Sequence, residues 1–225
     1  MLRVDSGVTV TVVQQEPRWS LVVPVKRLAA AKSRLAAFTG PHRGELALAV
    51  ATDTVTAAAA CPVVTEIVIV AESHADLDAL RDIGRVHVVT DEPAAGLNPA
   101  LRHGAAVAGA RTPGTWVCAL SADLPALRPA ELHRVLAAAE RHDHAFLADT
   151  AGTGTTAYTA RPGTGFTPAF EGPSRRRHRE SGASELTLAD VASVRRDVDT
   201  PADLREAIAL GVGPHTAKIV ARLGL

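Results

Sequence analysis

The sequence predicts a three-layer α/β/α domain built on a mostly parallel, mixed sheet. Three observations carry this. From residue 20 onward, short β-branched runs alternate with helical segments. The strand-like runs span about 4–8 residues and are almost wholly apolar, as strands covered on both faces are. The segments between them run to about 10–15 residues, the length of crossover helices in βαβ units. Aromatic residues make up only 3% of the 225, so the core must be built from Ala, Val and Leu.

The elements follow in order. SLVVPV over 20–25 is a buried strand, and the alanine-rich segment 45–60 a helix stopped by Pro62. A strand over 65–71, a helix over 74–83 and a strand over 86–90 come next. The spacing predicts a helix over 98–110, with Asn98 as its cap and Pro99 at the first helical position. A strand over 115–121, a helix over 129–142 and a strand over 144–149 continue the alternation. Residues 152–160 read as a glycine turn entering a strand, and 161–183 as a Gly/Pro/Arg-rich loop. The segment 194–211 reads as a strand, then a helix capped by Thr200 with Pro201 first inside it, and a helix over 214–223 closes the chain. Residues 19–225 form a single domain on this reading, and the Val/Thr alternation of residues 1–18 reads as an edge strand or an extension.

Composition narrows the function classes. Twenty-four basic residues balance twenty-four acidic ones, which argues against a nucleic-acid binder. No apolar stretch reaches the roughly 18 residues of a membrane span. The start of the chain lacks the basic leader and apolar core of a signal peptide. Cys61 and Cys118 have no metal-like spacing and read as reduced, buried thiols of a cytoplasmic protein. The alanine-rich helices would pack in a homodimer as easily as in one core.

Ligands of open parallel sheets sit at the carboxyl ends of the strands. After the first strand, VKRLAAAKSRLA holds Lys26 and Lys32, two of the three lysines in the chain. Their compact charges suit a triphosphate, and a solvated helix face is the alternative. After the third strand, Gly96 permits close backbone approach, and Asn98 would read a base or ribose unless it caps a helix. After the fourth, Asp123 in SADLPAL is placed to ligate Mg²⁺ or to bond its own turn. In RDVDTPADL, Asp197 and Asp199 share a face if the strand continues, a costly pairing unless a cation joins them. Asp199 could equally decorate the following helix, and Asp203 reads as dipole compensation only. Thr155 and Thr156, with Gly172, Ser174, Arg175, Arg176, Arg177, His178 and Arg179, could cradle a small phosphorylated acid. The arginine run could also be a mobile, solvated loop.

Taken in order, VPVKRL…AKSRL, DEPAAGLNPAL, SADLPAL, GTGTT, an F-x(7)-H loop ending in SGA, and DVDTPADL resemble the guanylyltransferases of coenzyme F420 biosynthesis. That family takes phosphoenolpyruvate or 2-phospho-L-lactate with GTP, and its fold is similar to molybdenum-cofactor and sugar nucleotidyltransferases. The resemblance implies that Asp123, Asp197 and Asp199 hold one or two Mg²⁺ ions. It implies that Thr155 or Thr156 binds the acid together with Ser174 and a glycine amide. Lys26, Lys32 and the Gly96–Asn98 turn would serve GTP. The family reads F-G-x-x-S where this chain reads F-E-G-P-S, with Glu171 at the glycine position. Either Gly172 supplies the amide after a local shift, or that contact is lost. The Ala- and Arg-rich composition is of the actinobacterial kind, which favours phosphoenolpyruvate over 2-phospho-L-lactate as acceptor. Rival readings are a nucleotidyltransferase with another acceptor, a non-catalytic GTP-binding regulator, and a C-terminal helix-turn-helix.

Overall fold

The computed structural model describes residues 17–25, 40–72, 77–91 and 95–224. Lys26, Lys32 and residues 1–16 lie outside the described residues. Strand β1 (Trp19–Val25) is followed by a 3-10 turn (Gly40–His42) and helix α1 (Arg43–Ala59). Then come β2 (Val64–Ala71), α2 (Asp78–Arg81), β3 (Val86–Thr90), α3 (Leu97–Arg111), β4 (Trp116–Leu120) and α4 (Pro129–Ala139). The last third holds β5 (His144–Ala148), β6 (Thr155–Ala160), α5 (Ser174–Glu180), β7 (Ser184–Glu185), α6 (Ala192–Arg195), α7 (Pro201–Leu210) and α8 (Pro214–Leu223).

The seven strands are ordered β3-β2-β1-β4-β6-β5-β7. β1 pairs in parallel with both β2 and β4, while β6 runs antiparallel between β4 and β5. The expected mixed, mostly parallel sheet is therefore present. The chain moves outward from β1 through β2 to β3, then returns to place β4 on the other side. The switch point lies at the carboxyl ends of β1 and β4, where ligands of such sheets bind.

Strand alternation divides the core between the two faces. Leu21, Val23 and Val25 pack with Val55 of α1 and Leu132, Val135 and Leu136 of α4. Val22 faces the other way, with Val70, Leu101, Ala105 and Phe146. Small residues make this tight. A Cβ on Gly104 would lie 2.5 Å from Val22 Cγ1 and 2.6 Å from Val70 Cγ2, so α3 lies directly on β1 and β2. Cys61 and Cys118 are buried free thiols, and burial pushes the Cys118 thiol up. Among the described residues no helix is long and apolar enough to cross a membrane.

Four expectations are corrected. Asn98 does not cap α3: the helix starts at Leu97 behind Gly96, and the Asn98 amide bonds a distant backbone instead. Within the expected loop 161–183, Ser174–Glu180 forms helix α5, held by Arg175 and Arg179 on Glu185. No strand precedes α7: Ala192–Arg195 is a helical turn, and Val198 donates a single bond to the Asp123 carbonyl rather than joining a ladder. Asp203 does more than compensate a dipole, since it completes a capping box with Thr200 and pairs with Arg196. Thr200 and Pro201 open α7 as expected. The last two helices do not present a free reading helix. Asp53 caps α8 through His215 N and Thr216 N, Val220 is buried, and Arg222 pairs with Glu45.

Candidate active site

The Asp123 turn leaves the end of β4 and is held from four sides. Ser121 N donates to Thr156 O at 2.8 Å, and Leu124 N donates to Thr54 Oγ1 at 3.0 Å. Val198 N reaches Asp123 O at 3.1 Å, and Gly213 N reaches Pro125 O at 2.9 Å. β6, α1, the Asp197 segment and the start of α8 thus converge on five residues. Leu124, Pro125, Ala126 and Leu127 are buried, while Asp123 remains half-buried at the rim. An apolar plug behind a carboxylate fixes its position at the rim.

Asp197 and Asp199 flank the buried Val198, which packs with Leu46, Val50 and Leu204. The Asp197 carboxyl is pushed up to about 7, by burial first and then by the charges of Asp123, Asp199 and Asp149. Four carboxylates therefore act on one another here, and added positive charge would relieve them.

Asp149 is the member that the sequence reading missed. It follows β5 directly, and the same rule of inspecting the residue after each strand would have found it. Its carboxylate accepts from Thr153 N at 2.9 Å and Gly154 N at 2.8 Å, folding the GTGTT turn around itself. A Cβ on Gly154 would collide with that carboxylate, so the turn requires glycine there.

The turn delivers Thr155 and Thr156 to the start of β6 at an irregularity. Leu147 pairs with Ala157, but Ala148 pairs with Thr155, so β6 carries one extra residue. Such a bulge re-aims side chains at the end of a strand. The Thr155 hydroxyl lies 3.0 Å from Nδ1 of the buried His178. Thr156 Oγ1 is buried and has no hydrogen-bond partner among the described residues, an arrangement that costs stability unless a ligand completes it.

Opposite these threonines runs the 170–174 turn. Phe170 N donates to Asn98 Oδ1 at 2.8 Å, and Asn98 Nδ2 donates to Phe170 O at 2.9 Å. Glu171 follows at φ 84° and Gly172 at φ 55°, two consecutive left-handed residues. Glu171 thus keeps the backbone conformation natural to glycine and carries an exposed side chain. Ser174 is buried, and its N–H donates to Gly172 O at 2.8 Å. Arg175 ties this turn to the GTGTT turn, from its backbone N to Thr153 O and from its guanidinium to Gly152 O. The arginine run is largely internally paired: Arg175 and Arg179 with Glu185, Arg176 with Glu180. Arg177 has no carboxylate partner among the described residues, and its Nη2 lies 3.9 Å from where a Gly172 Cβ would sit.

Asp123 and Asp199 therefore lie close enough to Asp197 for their charges to act on it, and Thr155 is linked through His178 to Ala169, at the start of the 170–174 turn. Gly96 stands behind α3 at φ 106°, a conformation suited to glycine. Asn98 holds the 170–174 turn through both atoms of its amide. Its role carried no sequence signal, because Phe170 is 72 residues away.

Comparison with known proteins agrees with this arrangement. A 58% identical relative from Streptomyces coelicolor aligns over 92% of this chain and 97% of its own length, and is named phosphoenolpyruvate guanylyltransferase. A relative of the same name from Thermomonospora curvata is 55% identical over 92% of this chain and 91% of its own. Among solved structures, CMP:2-keto-3-deoxy-manno-octonic acid synthetase complexed with CTP superposes with a TM-score of 0.57 at 15% identity, over 86% of this chain and 98% of that one. A nucleotidyl transferase from Methanothermobacter thermautotroptrophicus gives 0.55 at 18% identity, over 87% and 98%. At such identities the likeness concerns the fold. The family described as guanylyl transferase, CofC like, matches residues 19–225, and the chain belongs to that family.

Proposed function

We propose that this chain is a phosphoenolpyruvate guanylyltransferase, joining GMP from GTP to the phosphate of phosphoenolpyruvate for coenzyme F420 biosynthesis. The observation that carries the reading is the cluster of Asp123, Asp149, Asp197 and Asp199 at the switch point, next to the bulged start of β6 where the buried Thr156 hydroxyl has no hydrogen-bond partner among the described residues. The names of relatives more than half identical over nine-tenths of the chain support it.

In the reaction a phosphate oxygen of the acid attacks the α-phosphorus of GTP. A P–O–P bond forms as the bond to the pyrophosphate oxygen breaks, and pyrophosphate leaves with the electron pair. The nucleophile is already ionised at neutral pH, so no general base is required. The task of the protein is to hold two polyanions in line. Lys26 and Lys32 serve the triphosphate, and Gly96 lets the backbone approach the nucleotide. Thr155, Thr156, Ser174 and the amides of the left-handed turn hold the acid.

The residues fit a divalent cation. Asp197 is disfavoured as an anion by burial first and then by three neighbouring carboxylates, a repulsion that Mg²⁺ would relieve. Among the described residues no three His, Cys, Asp or Glu side chains already form a metal cage. Mg²⁺ takes one or two carboxylates and leaves its other positions to waters and substrate phosphates, so one or two of Asp123, Asp197 and Asp199 would hold it, and bound there it would neutralise phosphate charge.

The test is pyrophosphate release from GTP and Mg²⁺ with phosphoenolpyruvate, 2-phospho-L-lactate or no acid, pyrophosphate being hydrolysed to drive turnover. EDTA-sensitive release that needs phosphoenolpyruvate supports the reading. Release with 2-phospho-L-lactate alone transfers it to that acceptor. No release with either acid, in folded protein, overturns it.

A further inference from the structure

His178 lies outside the chemistry just described, yet in α5 it is fully buried behind the 170–174 turn. Its ring stacks 4.7 Å from Tyr158 and 5.5 Å from Phe146, with the edge of Phe170 at 5.1 Å. Both nitrogens are used. Ala169 N is 2.9 Å from Nε2, and Nδ1 is 3.0 Å from Thr155 Oγ1.

The two contacts settle where the ring proton sits. A backbone N–H can only donate, so Nε2 must accept and carry no hydrogen. An imidazolium would set two donors against each other, and burial pushes the His178 pKa down to about 4. A neutral imidazole with a bare Nε2 has its proton on Nδ1. Nδ1 therefore donates, toward Thr155 Oγ1 and the backbone carbonyl of Ser174, and cannot accept from the hydroxyl. The Thr155 hydroxyl must then direct its own proton elsewhere, and its only side-chain hydrogen bond among the described residues is the one to His178. The opposite tautomer would draw the Thr155 proton onto the ring and turn oxygen lone pairs toward the ligand. For an anionic ligand the two arrangements differ between attraction and repulsion.

We propose that His178 is a positioning residue that makes the Thr155 hydroxyl a hydrogen-bond donor to the phosphorylated acid. The proposal rests on the reading that Thr155 lines the acid pocket. Because the same ring accepts from Ala169, next to the Asn98-tethered Phe170, placement of the turn and polarity of the hydroxyl are set by one side chain.

The test is a double-mutant cycle read as KM for phosphoenolpyruvate, with KM for GTP beside it. Thr155→Val keeps the shape and removes the hydroxyl. It raises the acid KM on the order of ten- to a hundredfold, the worth of a hydrogen bond to an ionised group. His178→Gln can still accept from Ala169 but offers nothing in place of the Nδ1 proton. It also raises the acid KM, and in the Thr155→Val background it adds no further rise. Neither substitution moves KM for GTP. Additive effects, or a parallel rise in both KM values, overturn the proposal and leave His178 as packing. An unchanged acid KM in Thr155→Val overturns the reading of Thr155 and this inference with it. A rise in Thr155→Val with none in folded His178→Gln overturns this inference alone. Should His178→Gln fail to fold, ¹⁵N-histidine NMR on the unaltered protein decides. The buried ring, recognised by staying neutral at pH 5, carries its proton on Nδ1; a proton on Nε2 overturns the proposal.

Discussion

Asn98 grips the backbone of Phe170 at both its N–H and its carbonyl, like a rung of β-ladder built by one side chain. Helix α3, pressed onto the sheet at Gly104, thereby fixes the turn that faces Thr155 and Thr156. Asn98→Ala removes both bonds and is expected to cost about 1–3 kcal/mol. It also raises KM for the acid severalfold while leaving KM for GTP nearly unchanged. Asn98→Asp fares no better, because a carboxylate cannot donate to the Phe170 carbonyl. Urea unfolding with steady-state kinetics on both substrates checks this.

Glu171 stands in the left-handed region, which costs a residue with a Cβ roughly 1–2 kcal/mol. Glu171→Gly removes that strain but gives back some entropy to the unfolded chain. The net expectation is a stabilisation of about 0.5–1 kcal/mol. The substitution also removes a negative charge beside an anion pocket, so KM for the acid falls. A lowered urea midpoint would contradict the strain argument.

Asp123→Asn and Asp197→Asn should each lower kcat by at least about a hundredfold, as loss of an electrostatic stabiliser does. Neither should unfold the protein. The Asp123 turn is held through backbone groups and buried apolar neighbours, and Asp197→Asn removes a charge that three carboxylates repel. Circular dichroism melts beside the pyrophosphate assay distinguish clean inactivation from unfolding.

His178 sets a pH dependence of stability. Its folded pKa of about 4 lies below the ordinary 6.5, so the unfolded chain takes up the proton first. This contribution is complete above about pH 6.5 and is lost progressively as the pH falls toward 4, by on the order of 2–3 kcal/mol. Asp197, pushed up to about 7, contributes with the opposite sign over the same range. Unfolding midpoints between pH 7 and 4.5 are therefore compared with those of His178→Gln, whose side chain does not titrate; relative to that variant, the unaltered protein should lose stability as the pH falls.

Much of the fold was legible because the signals are local. Val86–Thr90 and Pro214–Leu223 fall where runs and prolines place them, and Thr200 caps α7 from a four-residue pattern. The misreadings share a different cause. Asn98 has the composition of a cap but a partner 72 residues away. Helix α5 is hidden in a Gly/Pro/Arg stretch because its stability comes from ion pairs to Glu185 and a bond to Thr153. The segment before α7 looks like a strand by its alternation, but Arg195 uses its guanidinium on the carbonyls of Ala148 and Leu186, and no ladder forms. Asp123, Asp197 and Asp199 were identified by type and position, and Asp149 was legible by the same rule as the residue after β5, although its charge on Asp197 emerges only from the fold.

The reversed direction of β6 has a consequence for how such a chain can diversify. Running against β4, it begins where β4 ends, so the threonine turn and the Asp123 turn meet across a single strand seam. On one side of the seam lie strands β1 to β3, and on the other β5 and β7. The threonine turn and α5 come from one continuous stretch of sequence, tied to the rest at the β4–β6 ladder and by Asn98 on Phe170. A lineage could recast that stretch for a different acid while inheriting the rest intact, much as a tool keeps its handle when the bit is changed.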